Sequence, residues 1–553
     1  MSEREPAGGT EHEPPRAAPR AGLAAFAVGS GIFLSRVIGL VRERVLATYF
    51  GAGLHADVFS AGLRLPNVLQ NLLGEGTLSA SFIPAYSALL GQGRTAEAGR
   101  VAGAMFALLA GVAGAIALLG MTLAPWLVSV FTPGFTGERR DLLISVVRIL
   151  FPMTGVLVLS AWALGILNSH RRFFLPYFAP VLWNAAIIAA LVAFGSRLSL
   201  DRLVVAAAWG ALIGGVLQFV VQLPLVWRLD REIRLNSGRR EPAFKEAVRK
   251  AVPAIMGRGV VQVSGYFDLV LASLLAVGAV ARLRYAQTLY ILPISLFAMS
   301  VAAAALPELA RDRAAALDVL RERTVGALRR VAFFVVPSFV AFLAIGETLV
   351  AGLYEAGEFG AADVRIVWLV LAAYSLGLLA STATRVYQSA FFALRDTATP
   401  ARTALLRVVV ALAAGALLMA ELEPVSAFGL GPSGARLGTL FDAELPLGPV
   451  GLAAGAALGA WVEWWVLKRK LRAQVGDVGA SARRLGALFA AAFVAGGVGY
   501  AAARALAALA PLPAAALVAV AFGAVYLLVA HALGVPQARG LTDAVLRRLR
   551  RTS

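Results

Sequence analysis

The chain contains no cysteine. Disulfides, thiolate chemistry and cysteine-ligated metal are therefore excluded. Histidine is nearly as scarce: His12, His55, His170 and His531 stand far apart, without the spacing of a metal site. No Walker-type glycine loop occurs, so ATP hydrolysis by the chain itself is not expected. Charge is thin as well. Only 15% of the 553 residues are Asp, Glu, Lys or Arg, while 59% are hydrophobic and the mean hydropathy is +0.76. A soluble protein of this length would carry far more surface charge. Residues 1–21 are polar with no apolar core, and read as a disordered tail rather than a signal peptide.

What the chain does have is apolar runs that reach the roughly 20 residues needed to cross a bilayer as helix. Taken against the polar breaks, they predict an all-α polytopic membrane protein of about fourteen transmembrane helices. Their approximate limits are 22–50, 56–90, 101–131, 142–168, 175–195, 202–227, 246–276, 281–308, 325–354, 363–394, 402–421, 447–467, 484–509 and 513–535. The 55 glycines fit such a chain, because small residues let helices approach closely in lipid.

A net charge of +19 would suit a nucleic-acid binder, but its distribution argues against one. With the N-terminus inside, the inner segments hold about 34 Lys and Arg against roughly 5 outside. An odd number of spans would scramble that alternation. Both termini are therefore expected on the cytoplasmic side, with no nucleic-acid partner. The basic C-terminal run Arg547 to Arg551 reads as a surface anchor.

The polar segment 229–245 separates six spans (22–228) from the remainder, in which 246–470 forms a second six and 484–535 a final pair before a basic tail at 536–553. Each six opens alike. Gly51 and Gly53, Leu65-Pro66 and Pro84 in the first match Gly278, Leu292-Pro293 and Pro307 in the second. Six intervening spans give both repeats the same orientation, as in transporters built from two parallel bundles.

Ionisable residues inside the spans are costly and mark function or internal pairing. Arg36, Arg42 and Glu43 lie in the first span; Gly39 can let it bend and bring both arginines to one cavity. Arg44 reads more as an orientation anchor. Arg64 stands beside Pro66, which removes a backbone hydrogen bond, and Asn67, Gln70 and Glu75 follow on the same span. Broken backbone at that depth is tolerated where it lines protein or water. An arginine there never loses its proton, so the set reads as a site for an anion. Snorkelling to headgroups and an internal ion-pair network with Glu43, Asp57, Glu75 and Asp268 are the competing readings. Asp268 in the seventh span, with Arg258 and Gln262 on the same helix, is either a structural partner or an ion-coupling carboxylate. Arg282 and Arg284 open the eighth span as cavity candidates, and Arg385 with Tyr387 and Gln388 is expected to face the interior of the tenth.

These residues carry a resemblance. Ser35-Arg36-Val37-Ile38-Gly39 through Arg42, Phe50-Gly51-Ala52-Gly53, Asp57, Arg64-Leu65-Pro66-Asn67, Glu75-Gly76 and Phe82-Ile83-Pro84 resemble the N-terminal signature of the MurJ/MviN family of lipid II flippases. Phe178-Ala179-Pro180 with Asn184, Tyr285-Ala286-Gln287 through Leu306-Pro307, and Ala390 to Thr397 with Thr399-Pro400 extend it in order to about residue 470. The resemblance implies two six-helix lobes in a V-shaped, alternating-access arrangement, with the last two helices flanking a groove for a polyprenyl tail. It implies a transporter rather than an enzyme, with no cofactor, in the bacterial cytoplasmic membrane. The cargo would be a lipid-linked peptidoglycan precursor, its diphosphate held by Arg36, Arg42 and Arg64. Membrane lipids and cell-wall synthesis machinery are the implied partners. Drive is expected from the membrane potential or a monovalent cation at Asp268. Two positions depart from the family pattern: Gln70 and Thr288 stand where a basic residue is frequent. Rival readings are a flippase for another polyprenyl-linked glycan or for amphipathic drugs, and a non-transporting envelope scaffold.

Overall fold

The computed structural model describes residues 19–235, 238–295, 313–423, 446–479 and 481–540. Helix falls on every one of the fourteen predicted segments. The first is one continuous helix, α1 (Pro19–Phe50), so Gly39 lies within an unbroken turn. The second is four short helices, α2 (Leu54–Arg64), α3 (Asn67–Leu73), α4 (Glu75–Ala80) and α5 (Phe82–Gly91). Pro66, lacking an amide hydrogen, ends the first piece. Gly74 is extended and ends the second; a Cβ there would sit 2.2 Å from the Gln70 carbonyl oxygen. Ser81 makes the third break.

The rest of the N-lobe is α6 (Thr95–Thr122), α7 (Ala124–Phe131), α8 (Gly137–Ser169), α9 (Phe174–Phe178), α10 (Pro180–Phe194), α11 (Leu200–Val220) and α12 (Leu223–Leu229). The C-lobe contains α13 (Pro242–Ser273), α14 (Ala279–Pro293), α15 (Arg313–Ala344), α16 (Gly346–Tyr354), α17 (Ala361–Leu376), α18 (Leu378–Ala393), α19 (Ala398–Leu422) and α20 (Gly448–Val475). A final pair, α21 (Ala482–Ala505) and α22 (Pro511–Ala532), packs on α15, with the Tyr526 hydroxyl donating to the Phe333 carbonyl at 2.6 Å. Among the described residues, nine helical spans are long and apolar enough to cross a membrane, or ten if α17 and α18, bent by 42°, count as one. The segments outside that count are α1, α2–α5, α13 and α14, which hold the charged residues singled out above, Arg385 of α18 apart.

Packing follows from the solvent. In lipid, helices gain nothing by hiding apolar surface from one another, so close backbone approach has to supply the attraction. α19 and α20 meet through Gly415, Gly455 and Gly459; a Cβ on Gly455 would lie 2.3 Å from the Gly415 nitrogen. α10 and α11 meet through Gly210 and Gly214 against Ala186 and Ala190 in the same way.

The segment predicted as a linker is docked. Residues 232–234 cross α6 on Gly99 and Gly103, where a Cβ would fall 2.5 Å from the Glu232 carbonyl carbon and 2.2 Å from the Arg234 oxygen. Arg100 fixes Glu241 at 2.9 Å. α13 then starts at Pro242, inside the expected linker, and its Phe244 and Ala247 belong to the apolar core of the N-lobe. The helix beginning the second lobe is thus rooted in the first.

Candidate functional site

The two Leu-Pro pairs end equivalent helices. α2 stops at Arg64 before Leu65-Pro66, and α14 stops at Pro293 after Leu292. Each starts after a glycine, Gly53 or Gly278, and the two helices pack against each other across the lobe boundary. Together they build a seal at one end and a chamber beside it.

At the seal, Asp57 of α2 is fully buried. Its oxygens accept the backbone N–H of Gly278 at 2.6 Å and of Ala281 at 2.8 Å, and the Arg139 guanidinium closes on the same carboxylate. Gly278 and Ala281 open α14, so one lobe supplies the capping carboxylate for a helix of the other, where the helix dipole favours negative charge. Gly278 has φ of 96°, and a Cβ would stand 1.9 Å from the Ala52 oxygen; only glycine fits. Around it, Glu358 donates its N–H to Thr48 O at 2.9 Å and the Tyr285 hydroxyl donates to Gly51 O at 3.0 Å. Arg44, expected only to orient the chain, donates to the carbonyls of Gly352 and Leu353 at the end of α16, at 2.7 and 3.1 Å. Arg282 also belongs here, paired with Asp363 at 3.2 Å.

One turn along each helix lies a cavity of about 540 Å³ walled by both lobes. Arg42 enters from α1, Arg64 from α2 and Arg284 from α14, with Asn67 and Gln70 of α3 and Gln287 of α14. Glu43, nearly fully buried, takes both Arg42 and Arg284 on one oxygen, the Arg284 contact being 2.7 Å. Its other oxygen, and Nε of Arg42, make no hydrogen bond among the described residues. Asn184 accepts Arg42 at 2.8 Å while its own amide donates to Pro180 O at 3.0 Å, and Arg42 lies over the Trp183 ring at 4.8 Å. Arg284 also reaches the Ser60 hydroxyl at 3.2 Å. Arg64 stands 4.0 Å from Asp268, whose side chain is half-exposed. Two guanidiniums on one carboxylate, and a third loosely paired, leave net positive charge in a polar hollow. Such an arrangement can hold a doubly charged oxyanion through forked, charge-assisted hydrogen bonds.

Arg36 does not line this hollow. It donates to Ser295, just past α14, and so bridges the lobes. Arg385 is exposed on α18, within electrostatic reach of Arg407, Tyr290 and Glu463. Glu463, only 1% exposed, binds Arg407 at 3.2 Å and Gln388 at 3.0 Å. This pair escaped the sequence reading, although ionisable residues in the eleventh and twelfth spans were the available signal. Thr288 turns its hydroxyl to its own helix, onto Arg284 O at 3.0 Å. The side chains of Glu75, Arg258 and Gln262 lie outside the described residues.

Against known proteins, a family model described as lipid II flippase MurJ matches residues 46–517. The chain belongs to the MurJ family. The matched range includes Asp57, Arg64, Asp268 and Arg284, and begins just after Arg42 and Glu43. Among curated MurJ relatives, the lipid II flippase MurJ of Burkholderia cenocepacia is 34% identical over 389 residues, covering 69% of this chain and 75% of that protein. The probable lipid II flippase MurJ of Rhizobium tropici is 32% identical over 403 residues, covering 71% and 74%. Among solved structures, a lipid II flippase MurJ in an inward closed conformation shares the fold with a TM-score of 0.70 at 21% identity, over 92% of this chain and 97% of that one. An inward-facing multidrug resistance MATE family transporter of the MOP superfamily follows at 0.61 and 17%, over 82% and 98%. MurJ membership and the apolar helices together make this a multi-pass protein of the bacterial inner membrane, with a transporter's role.

Proposed function

We propose that the chain is a lipid II flippase, carrying undecaprenyl-pyrophosphate-linked peptidoglycan precursor from the inner to the outer leaflet by alternating access. The observation that carries the reading is the chamber in which Arg42, Arg64 and Arg284 converge, the first and last sharing Glu43 and Arg64 standing 4.0 Å from Asp268. The pyrophosphate bridges these guanidiniums, the sugar-peptide head stays in the wet hollow, and the polyprenyl chain remains in lipid beside α21 and α22. Arg36, bridging to Ser295, joins the diphosphate ligands once that contact is released. No covalent step is involved.

Both termini are assigned to the cytoplasm by the charge of the loops, which puts the Asp57 seal on the outer face. Seal and chamber share their helices: Asp57 and Ser60 are one turn apart on α2, as are Ala281 and Arg284 on α14. Cargo that draws Arg284 from Ser60 and Glu43 therefore pulls on the helix start that Asp57 caps. Arg64 transferring from Asp268 to phosphate frees that carboxylate for a monovalent cation, which would couple the cycle to an ion gradient or to the membrane potential. Cell-wall synthases that consume the exported precursor are the expected partners.

Depleting the chain in its native cell and assaying lipid-linked intermediates tests the reading. Intact lipid II is expected to accumulate on the inner face. Normal lipid II cycling with another polyprenyl-linked sugar stranded would instead establish the second reading, a flippase for a different glycan. Gln70 favours that alternative, since it lines the chamber where the family frequently carries a base.

A further inference from the structure

Away from the seal, a second cavity of about 400 Å³ opens between α15, the start of α21 and the end of α22. Arg329, Arg483 and Arg484 line it, with no carboxylate among the described lining residues. None of the three has an ion-pair partner among the described residues, and the Nε of Arg329 is buried without a hydrogen bond. α21, 24 residues long, begins at this cavity after Ser481, whose side chain makes no capping bond; the N–H groups of Arg484 and Leu485 donate to Ser481 O at 3.0 and 3.1 Å, and the positive end of the helix dipole lies beside the opening. The opposite wall is apolar, formed by Leu485, Leu488, Leu533 and Val535, with Leu533 49% exposed toward the surroundings of the protein.

We infer that this cavity binds the phosphodiester headgroup of an anionic phospholipid, with an acyl chain laid along the Leu485–Leu533 wall. Three guanidiniums and a helix N-terminus suit any phosphate. A free phosphate would leave the apolar wall uncovered, whereas a phospholipid satisfies both halves, and basic hollows between spans are where such headgroups settle. The bound lipid would tie the final helix pair to α15. Placing the site in the cytoplasmic leaflet rests on the orientation proposed above; the binding does not.

The test uses the full chain in nanodiscs of phosphatidylcholine doped with phosphatidylglycerol, with bound lipid counted by native mass spectrometry. Phosphatidylglycerol is expected to be retained selectively by the wild type. Arg329→Gln and Arg484→Gln should each weaken retention about fivefold, the worth of one basic residue at an anionic surface. Arg472→Gln, an exposed base outside the cavity, should leave it unchanged. Because Arg484 is exposed, its variant keeps the test valid even if Arg329→Gln misfolds. Equal losses in Arg472→Gln and Arg484→Gln, or no selectivity in the wild type, would overturn the inference. Displacement of phosphatidylglycerol by inorganic phosphate would identify a free-anion site and overturn the lipid assignment. Transport is not read in this assay, so its outcome is separable from that of the flippase reading.

Discussion

The seal and the chamber are made from the same materials and do opposite things with them. At the seal one buried carboxylate meets one guanidinium and two helix-start amides, so both oxygens of Asp57 are occupied. In the chamber one buried carboxylate is shared by two guanidiniums on a single oxygen, and its other oxygen accepts no hydrogen bond among the described residues; the unbonded Nε of Arg42 does not add to the contrast, since Arg139 and Arg282 at the seal share it. A buried polar group left unmade costs about 1–3 kcal/mol. At the seal both carboxylate oxygens are used between the lobes; in the chamber one oxygen carries two guanidiniums, the arrangement on which the proposed anion site rests. On the function proposed above, the contrast separates structural arginines from those assigned to cargo, where residue type alone cannot.

The largest way to break the comparison is Asp57→Ala, which strands Arg139 and the first amides of α14. It should destabilise the sealed form by about 3–5 kcal/mol, measured as lowered thermal stability in detergent and as labelling of the chamber from the sealed side. Arg42→Ala should leave the seal intact and weaken lipid II binding about ten- to a hundredfold, the worth of one or two charge-assisted hydrogen bonds. Gly278→Ala forces a side chain into the Ala52 oxygen at positive φ. A cost of about 1–3 kcal/mol is expected in the same thermal assay, with cargo affinity kept. Asp268→Asn sharpens the chamber side: removing a partly exposed partner at 4.0 Å should change binding by no more than about fivefold. It should also abolish any dependence of transport on a cation gradient if Asp268 is the coupling group.

The fold was largely legible because hydropathy and loop charge report directly on a membrane chain. What they could not give was which face of a helix looks inward. Arg282 and Arg284 are two residues apart, about 200° around a helix, so one had to point away. The structure sends Arg282 to Asp363 at the seal and Arg284 to Glu43 in the chamber. Arg36 and Arg42 were expected to converge through a bend at Gly39, yet α1 is continuous and the two diverge, one to Ser295 and one to Asn184. Arg44 looked like an orientation anchor because nothing in a sequence shows that the end of α16 needs a donor. Arg139 lies between the third and fourth predicted spans and was not singled out, since its partner Asp57 is 82 positions away. The breaks at Gly74 and Ser81 were hidden because neither position is proline; Gly74 is needed for a contact with Gln70 O that only coordinates reveal.

The most direct measurement is lipid II translocation by the purified chain in proteoliposomes, wild type against Arg42→Ala/Arg284→Ala, with folding of both verified by thermal stability. Translocation by the wild type and its loss in the folded double variant is the predicted result. A double variant that moves lipid II at the wild-type rate would contradict the claim that these paired guanidiniums carry the cargo.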